Sequence, residues 1–204
     1  MLRTSITHPL PIAEIPCGNG LLGLTYCPGK KGESVHGAAW DRNLIIDLDR
    51  IAEWGPRAVL TLMEAHELDL LNVPDLGLQI ERRGMEWLHM PIVDVSIPDT
   101  AFERRWADIG HFLRSHLRAG DRVVVHCRGG LGRTGLVAAR LLIEFGDAPD
   151  LAISKVRFAR PGAIETPEQE FYVRRLKPVR CKDGVADRMR KRRSPDYLMR
   201  QCRA

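Results

Sequence analysis

No apolar run in this sequence is long enough to cross a membrane, and its first residues lack the hydrophobic segment that a signal peptide needs. Its five cysteines are an odd number scattered along 204 residues, which does not match a disulfide framework. No Cys/His pair has the spacing of zinc ligands. These absences argue against a membrane protein, a disulfide-stapled secreted domain and a zinc module. They predict a protein of the reducing cytoplasm.

The composition is that of one globular domain, with 44% hydrophobic and 28% charged residues, and the chain is long enough to bury a core. The net charge of +5 is unevenly distributed: residues 179–204 carry nine basic and three acidic side chains, and the rest of the chain is close to neutral. The sequence therefore predicts a domain over residues 1–178 and a flexible basic tail over residues 179–204. The tail either binds an acidic partner or is simply solvated. Without interleaved aromatic residues, a nucleic-acid partner is not favoured.

Apolar runs that suit strands alternate with stretches that have helical spacing. The predicted strands include Ala58–Met63, Met85–Val93 and Val123–Val125, and the predicted helices include Asp41–Trp54 and Thr100–Leu117. The fold class predicted is α/β, a single domain with a central, mostly parallel sheet flanked by helices. Three charged residues follow the first of these strands and could face a site, but we interpret them as solvated loop residues: Glu64, His66 and Glu67.

Residues 121–135 are the most informative stretch, because they combine a strand, a glycine-rich loop and the start of a helix. Glycines allow a backbone to turn its N–H groups toward one centre, and the dipole of the following helix adds positive potential there. The stretch therefore predicts an anion-binding loop. The Gly-Lys-Ser/Thr ending of nucleotide-binding loops is missing. Three glycines lie within the loop: Gly129, Gly130 and Gly132.

The chemistry of this loop comes from the residues at its two ends. The thiol of Cys127 would lie at the base of a ring of N–H donors, where it is expected to ionise more readily than a free thiol and to act as a nucleophile. The planar guanidinium of Arg133 can hold two phosphate oxygens at once. The hydroxyl of Thr134 can donate a hydrogen bond to the sulfur when it has to leave. Together these groups suit attack on a phosphate monoester.

The string His126-Cys-Arg-Gly-Gly-Leu-Gly-Arg-Thr-Gly135 resembles the signature loop of the cysteine-dependent protein tyrosine and dual-specificity phosphatases. It is most similar to the cyclin-dependent-kinase-associated phosphatase group. Sulfurtransferases of the rhodanese type have a shorter gap between Cys and Arg, and low-molecular-weight phosphatases carry the loop near the N-terminus. The sequence fits neither of them.

The resemblance implies a reaction through a cysteinyl-phosphate intermediate on a phosphorylated protein, without metal or cofactor. It implies that Cys127 is the nucleophile, that Arg133 binds the phosphate and that Thr134 assists departure of the sulfur. His126 is expected to hydrogen-bond into the loop and tune the thiolate. The remaining loop residues are expected to bind the substrate phosphate: Arg128, Gly129, Gly130, Leu131 and Gly132.

A phosphatase of this type needs a carboxylic acid to protonate the leaving oxygen. Asp94 follows the predicted strand Met85–Val93, at the edge where parallel sheets gather their chemistry, and precedes Cys127 by 33 residues, as the resemblance requires. A Trp-Pro-Asp tripeptide is absent, as is usual in the dual-specificity branch. Asp99 is the alternative, although Thr100–Glu103 reads as a capping box at a helix start.

A later segment resembles the glutamine loop of the family, in which a glutamine orients the hydrolytic water. This chain has Glu165 at the first glutamine position, which is a departure, and Gln169 at the second. Two interpretations of Gln169 remain open: it orients water, or it has a structural role in packing Phe171 and Tyr172.

The resemblance implies phosphotyrosine, and perhaps phosphoserine or phosphothreonine, as the substrate. Arg128 adds a cation directly after the nucleophile, where inositide-type phosphatases of the superfamily place a lysine. The second lysine of those enzymes corresponds here to the neutral Leu131. An inositide phosphatase is therefore the alternative enzyme. A catalytically silent phosphate-binding module is the other alternative, although the chain has the complete catalytic set: Cys127, Arg133, Thr134 and Asp94.

Overall fold

A computed structural model describes residues 2–33 and 37–179, and its core is a five-stranded sheet flanked by helices. The sheet order is β1-β2-β7-β5-β6, and every neighbouring pair is parallel except the β1–β2 hairpin. The predicted α/β class with a mostly parallel sheet is confirmed. The strands are β1 (Ala13–Cys17), β2 (Gly20–Tyr26), β3 (Lys31–Gly32), β4 (Trp40–Asp41), β5 (Ala58–Thr61), β6 (Glu86–His89) and β7 (Arg122–Cys127).

Seven helices connect and cover these strands within the described part of the chain. Most of the helices predicted from the sequence are present within a few residues of their expected bounds. The helices are α1 (Leu44–Trp54), α2 (Ala65–Leu70), α3 (Leu76–Glu81), α4 (Thr100–Ala119), α5 (Gly132–Glu144), α6 (Pro149–Ala159) and α7 (Pro167–Arg175).

The central strand β7 carries the predicted nucleophile. Val123, Val124 and Val125 are fully buried, because β7 has the parallel strands β2 and β5 on its two sides and is covered by α5. The register pairs Tyr26 with Cys127 and Thr61 with His126. The carboxyl ends of β2, β5 and β7 therefore meet at one edge of the sheet, where α/β proteins place their sites.

The β1–β2 hairpin turns at Gly18 and Asn19, because Cys17 pairs with Gly20 across the two strands. Gly18 has a φ of +62° at the first central position of the turn, which is the position that type II′ turns reserve for glycine. A Cβ atom at Gly18 would also lie 2.5 Å from the ring of Phe145, so two constraints require glycine there.

A buried ion pair anchors the chain between β2 and α1. The guanidinium of Arg42 donates to both carboxylate oxygens of Asp47 at 2.7 Å, and both side chains are almost completely buried. Asp47 also accepts a hydrogen bond from the N–H of Gly29 at 2.8 Å. The turn at Pro28–Lys30 is therefore fixed to α1, which matters because this turn lies against the nucleophile loop.

A second buried ionic network joins α4, α5 and α7. The carboxylate of Glu144 accepts hydrogen bonds from Trp106, Arg114 and Arg140. The guanidinium of Arg140 also donates to Glu103 and to the hydroxyl of Tyr172 in α7. Buried charges are tolerated when they are paired and hydrogen-bonded in this way. The network connects the helix that begins at the nucleophile loop to its two neighbours.

Two strands are shorter than the sequence suggests, since β5 ends at Thr61 and β6 ends at His89. The predicted basic tail lies outside the described residues, apart from Val179. None of the described helices has the length and apolar character that crossing a membrane requires.

Candidate active site

The sulfur of Cys127 lies at the bottom of the loop that joins β7 to α5. Cys127 is only 3% exposed, and its Sγ atom accepts a hydrogen bond from the N–H of Gly130 at 3.3 Å. Gly130 has a φ of +70°, and a Cβ atom there would lie 2.5 Å from the carbonyl oxygen of Thr25. Only glycine meets both conditions, so Gly130 is required to turn its N–H group toward the sulfur.

The loop's carbonyl groups point away from its centre, and donors from outside the loop satisfy four consecutive ones. The carbonyl of Arg128 accepts from the N–H of Cys27 and from Nζ of Lys30, both at 3.4 Å. Arg160 donates to the next two carbonyls at 3.2 Å. The carbonyl of Leu131 accepts from Ile164 and, within α5, from Gly135. Carbonyls held outward allow the N–H groups to face inward, which is the geometry of an anion-binding loop.

Arg133 is held by the buried carboxylate of Glu67, which was predicted to be solvated. Glu67 is 4% exposed, and its two oxygens accept hydrogen bonds from Arg133 at 2.6 Å and 2.9 Å. Burial alone would raise the pKa of Glu67, but hydrogen bonds from Arg133 and the backbone of Glu64 hold it below its ordinary value. Glu67 is therefore an orienting group for Arg133 and not a solvated loop residue. No local sequence pattern could have indicated this ion pair, because Glu67 and Arg133 are 66 residues apart in the chain.

Asp94 lies beside Arg133 at the carboxyl edge of the sheet. Its Oδ1 atom is 2.8 Å from Nη2 of Arg133, and its side chain is half exposed. The next residue, Val95, has a φ of +60°, which is a strained conformation for a β-branched residue. Backbone strain of this kind is found most often at functional sites. The structure therefore brings Asp94 to the nucleophile loop in a conformation that surrounding contacts have to maintain.

Asp99, the alternative acid, has a structural contact instead. It is the N-cap of α4, and its Oδ1 atom accepts a hydrogen bond from the N–H of Phe102 at 2.7 Å. The capping box expected between Thr100 and Glu103 is wrong, because Asp99 is the capping residue and Glu103 pairs with Arg140.

Gln169 is completely buried and uses both ends of its amide. Its Oε1 atom accepts from the N–H of Glu165 at 3.0 Å, and its Nε2 atom donates to the carbonyl of Ser96 at 3.1 Å. It therefore links the segment before α7 to the segment that follows Asp94. These two hydrogen bonds give Gln169 a structural role, and its orientation of a water molecule stays a prediction.

Glu165 reaches the nucleophile loop itself. Its Oε2 atom accepts a hydrogen bond from the N–H of Gly132 at 2.7 Å. The preceding residue, Ile164, is buried with a φ of +59° and packs on Gly135, so the backbone is strained where it presents this carboxylate. A carboxylate thus occupies one of the N–H groups of the anion-binding loop.

His126 contacts β5 through its ring, and an interaction with the backbone of Cys127 partly opposes the effect of burial on its pKa. Its Nε2 atom is 2.8 Å from the hydroxyl of Thr61, which also accepts a hydrogen bond from Trp87. Burial lowers the pKa of His126 to about 4, so the ring is neutral at neutral pH. Among the described residues, neither Nδ1 of His126 nor the hydroxyl of Thr134 has a hydrogen-bond partner. The structure therefore shows no hydrogen bond between Thr134 and the sulfur of Cys127.

The other predicted loop residues differ in how tightly they are constrained. A Cβ atom at Gly132 would lie 2.4 Å from Glu165, whereas a Cβ at Gly129 would meet nothing within 4 Å. Leu131 is partly buried, and Arg128 is exposed at the rim of the loop. No described residue forms an ion pair with Arg128.

Lys30 and Arg160 are the loop contacts that sequence reasoning missed. Both bind carbonyls of the loop from distant parts of the chain, and neither lies in a motif. The described residues include no cluster of three His, Cys, Asp or Glu side chains that could hold a metal ion. The arrangement as a whole offers a sulfur nucleophile, inward N–H donors, an oriented guanidinium and a carboxylic acid beside it.

Comparison with known proteins places this geometry in a family. A family model described as "Tc-R-P: Polymorphic toxin system, DSP-PTPase phosphatase" matches residues 37–147. The curated protein "Cyclin-dependent kinase inhibitor 3" of Rattus norvegicus is 34% identical over 167 residues, which cover 80% of this chain and 74% of the relative.

Two solved structures are similar to this chain in sequence as well as in fold. A crystal structure of kinase associated phosphatase (KAP), with serine in place of its catalytic-site cysteine, matches with a TM-score of 0.70 and 30% identity. The match covers 81% of this chain and 94% of that one. The active form of Tk-PTP matches with a TM-score of 0.57 and 31% identity, over 74% of this chain and 87% of that one.

Replacing Glu67 with glutamine tests the orienting role of this carboxylate. We expect the free energy of unfolding, measured by urea denaturation, to fall by about 3 kcal/mol, because the buried guanidinium of Arg133 loses its charged partner. Calorimetry should show tungstate, a phosphate mimic, binding roughly tenfold more weakly, since a charge-assisted hydrogen bond is worth about 1.5 kcal/mol.

Asp69→Asn is the matched control, because it removes an exposed carboxylate from the same helix. We expect neither quantity to change in that variant beyond about 0.5 kcal/mol. Equal results for the Glu67 and Asp69 variants would contradict the role assigned to Glu67.

Proposed function

The chain belongs to the dual-specificity phosphatase (DSP-PTPase) family, and from this premise we propose that it hydrolyses phosphate monoesters on phosphoproteins through a phosphoryl group carried by Cys127. The family consists of cysteine-dependent protein phosphatases, and the chain is an enzyme of this type. One observation carries the residue assignments. The buried sulfur of Cys127 faces the inward N–H of Gly130, while Glu67 holds Arg133 beside the carboxylate of Asp94.

The first step transfers the phosphoryl group from the substrate to the enzyme. The thiolate of Cys127 attacks phosphorus in line with the leaving oxygen, so an S–P bond forms as the P–O bond of the ester breaks. Asp94 gives its proton to the leaving oxygen, which departs as an alcohol or phenol. Negative charge on the equatorial oxygens is stabilised by the loop N–H groups and by Arg133.

The second step returns the enzyme to its starting state. Asp94, now a carboxylate, takes a proton from water as the water oxygen bonds to phosphorus and the S–P bond breaks. The products are inorganic phosphate and the thiolate of Cys127. We assign Thr134 to hydrogen-bond the departing sulfur, since its buried hydroxyl has no other partner among the described residues.

Phosphate binding has to rearrange two contacts of the resting site. The ion pair between Asp94 and Arg133 breaks when Arg133 binds the phosphate, and the carboxyl group of Asp94 can then carry a proton. The N–H of Gly132 donates its hydrogen bond to a phosphate oxygen instead of to the carboxylate of Glu165. Gln169 fixes the segments that carry both carboxylates, so we assign it a positioning role. The rest of the loop, from Arg128 to Leu131, surrounds the phosphate.

The exposed position of Arg128 favours an acidic substrate surface next to the phosphorylated residue. The same cation supports the second candidate function, hydrolysis of a phosphoinositide, whose head group carries more than one phosphate. The neutral Leu131 gives that substrate no further cation in the loop. A phosphotyrosine protein is therefore the preferred substrate, with phosphoserine and phosphothreonine as further members of the class.

A cytoplasmic location suits this chemistry, because the nucleophile acts only while its thiol is reduced. The thiols of Cys17, Cys27 and Cys127 are all free of disulfide bonds in the structure. We propose residues 1–178 as the catalytic domain. An acidic partner for the basic residues that follow remains a proposal from the sequence.

A substrate panel tests the proposed function. Phosphate release would be measured from phosphotyrosine and phosphoserine peptides and from phosphoinositides, with wild type and Cys127→Ser under reducing, metal-free conditions. We expect release from peptides by the wild type, no turnover by the variant, and tungstate binding by both. Turnover by Cys127→Ser would contradict the mechanism, and release from inositides alone would contradict the phosphoprotein substrate.

The dependence on the leaving group tests Asp94 as the acid. Asp94→Ala should lower kcat for a phosphotyrosine peptide by about 10²-fold or more, the scale of general acid catalysis. The effect on p-nitrophenyl phosphate should be smaller, because nitrophenolate leaves without a proton. Asp99→Ala is the control, expected to cost about 1 kcal/mol of stability through the lost cap and to keep the leaving-group dependence. Equal kinetic effects of the two variants would overturn the assignment.

A further inference from the structure

Lys30 is a buried ammonium group beside the nucleophile loop, and the mechanism proposed above does not use it. The residue is 8% exposed, and its Nζ atom lies 4.4 Å from the ring centre of Tyr26 and 4.1 Å from that of Trp40. It donates to the carbonyl of Arg128 at 3.4 Å. No carboxylate of the described chain forms an ion pair with it. A buried charge needs compensation, and aromatic faces and one carbonyl supply only part of it.

The position of this ammonium group is set by the fold. Lys30 follows β2, whose register places Tyr26 opposite Cys127. The preceding residue, Gly29, has a φ of +71°, and a Cβ atom there would lie 2.7 Å from Leu44. The N–H of Gly29 is bound by the buried Asp47. The turn is therefore tightly constrained, and it holds the ammonium against the residue that directly follows the nucleophile.

The side chains around Lys30 include more cations than anions. Burial lowers the pKa of Lys30 to about 8, so it is largely protonated at pH 7, and negative charge on a neighbouring sulfur atom opposes this shift. Burial also raises the pKa of Cys27 far above its ordinary value, which keeps that thiol neutral. The groups that face Lys30 or its two rings are the phenol of Tyr26, the thiols of Cys27 and Cys127, and the guanidinium groups of Arg3, Arg42 and Arg160.

Arg42 is neutralised by Asp47, whereas Arg160 and Lys30 contact only carbonyls and rings among the neighbours named here. Within this group, the ionised sulfur of Cys127 is the anion that can offset part of this positive charge. We propose that Lys30 is a positioning residue whose ammonium group stabilises the ionised form of Cys127 and holds the Arg128 carbonyl outward. This inference rests on the proposed role of Cys127 as a nucleophile.

The ionisation of Cys127 can be measured without a substrate, which separates this test from the test of the function. The rate of alkylation by iodoacetamide would be followed against pH on the full chain, with mass spectrometry of the peptides to distinguish Cys127 from the other cysteines. Lys30→Met removes the charge and keeps an apolar stem. We expect the midpoint of the alkylation curve to rise by about 1 pH unit, the scale for one nearby opposite charge.

Two further variants control for charge and for packing. Lys31→Met removes the neighbouring ammonium, which is half exposed and paired with Asp41 at 3.1 Å, and should leave the midpoint unchanged. Lys30→Arg keeps the charge and should restore most of the wild-type midpoint. An unchanged midpoint in Lys30→Met, or equal shifts in Lys30→Met and Lys30→Arg, would overturn the proposal, because the effect would then come from packing and not from charge.

A reciprocal measurement needs no variant of Lys30. If the two charges stabilise each other, removal of the anion in Cys127→Ser must lower the titration midpoint of Lys30 by the same amount, since coupling is mutual. Carbon-13 labelling of the lysine side chains and NMR titration would report this midpoint. A midpoint that moves down by about 1 pH unit supports the proposal, and a midpoint that is the same in both proteins contradicts it.

Discussion

The site depends on one backbone constraint: N–H groups can face an anion only if the carbonyls of the same loop face outward and find donors there. Four consecutive carbonyls, from Arg128 to Leu131, meet this condition in the structure. These hydrogen bonds stabilise the outward orientation of the carbonyls, since a carbonyl that is buried without a partner costs free energy. The donors come from the turn after β2 and from the segments that follow α6.

The parallel sheet explains how such distant donors meet. Because β7 lies between β2 and β5, the segments that follow those strands flank the nucleophile on both sides. One side brings Lys30 to the outer surface of the loop, and the other brings Glu67 to Arg133. Strained residues next to Asp94 and Glu165 show that tertiary contacts also hold the two further carboxylates in place.

Local patterns predicted the parts of the site that are contiguous in the sequence. The anion-binding loop with Cys127 and Arg133 could be predicted because its functional groups lie within a few residues of one another. The position of Asp94 at the same edge of the sheet could be predicted because Asp94 follows a strand of that sheet. Glu67 was interpreted wrongly, and Lys30 and Arg160 were missed. Their partners are far away in the chain, and an isolated charged residue looks the same whether it is solvated or buried. For the same reason the fold class could be predicted from apolar periodicity, whereas strand ends such as Thr61 could not.

The central claim is that phosphate passes through a covalent bond to Cys127, and trapping of that intermediate tests it most directly. Wild-type protein would be mixed with a phosphotyrosine peptide, quenched in acid within one turnover and digested, and the phosphorylated peptide would be identified by mass spectrometry. The account predicts one phosphoryl group on the sulfur of Cys127, formed and lost at rates that match turnover. A phosphoryl group on another residue, or full turnover with no phosphorylated enzyme at any time, would contradict it.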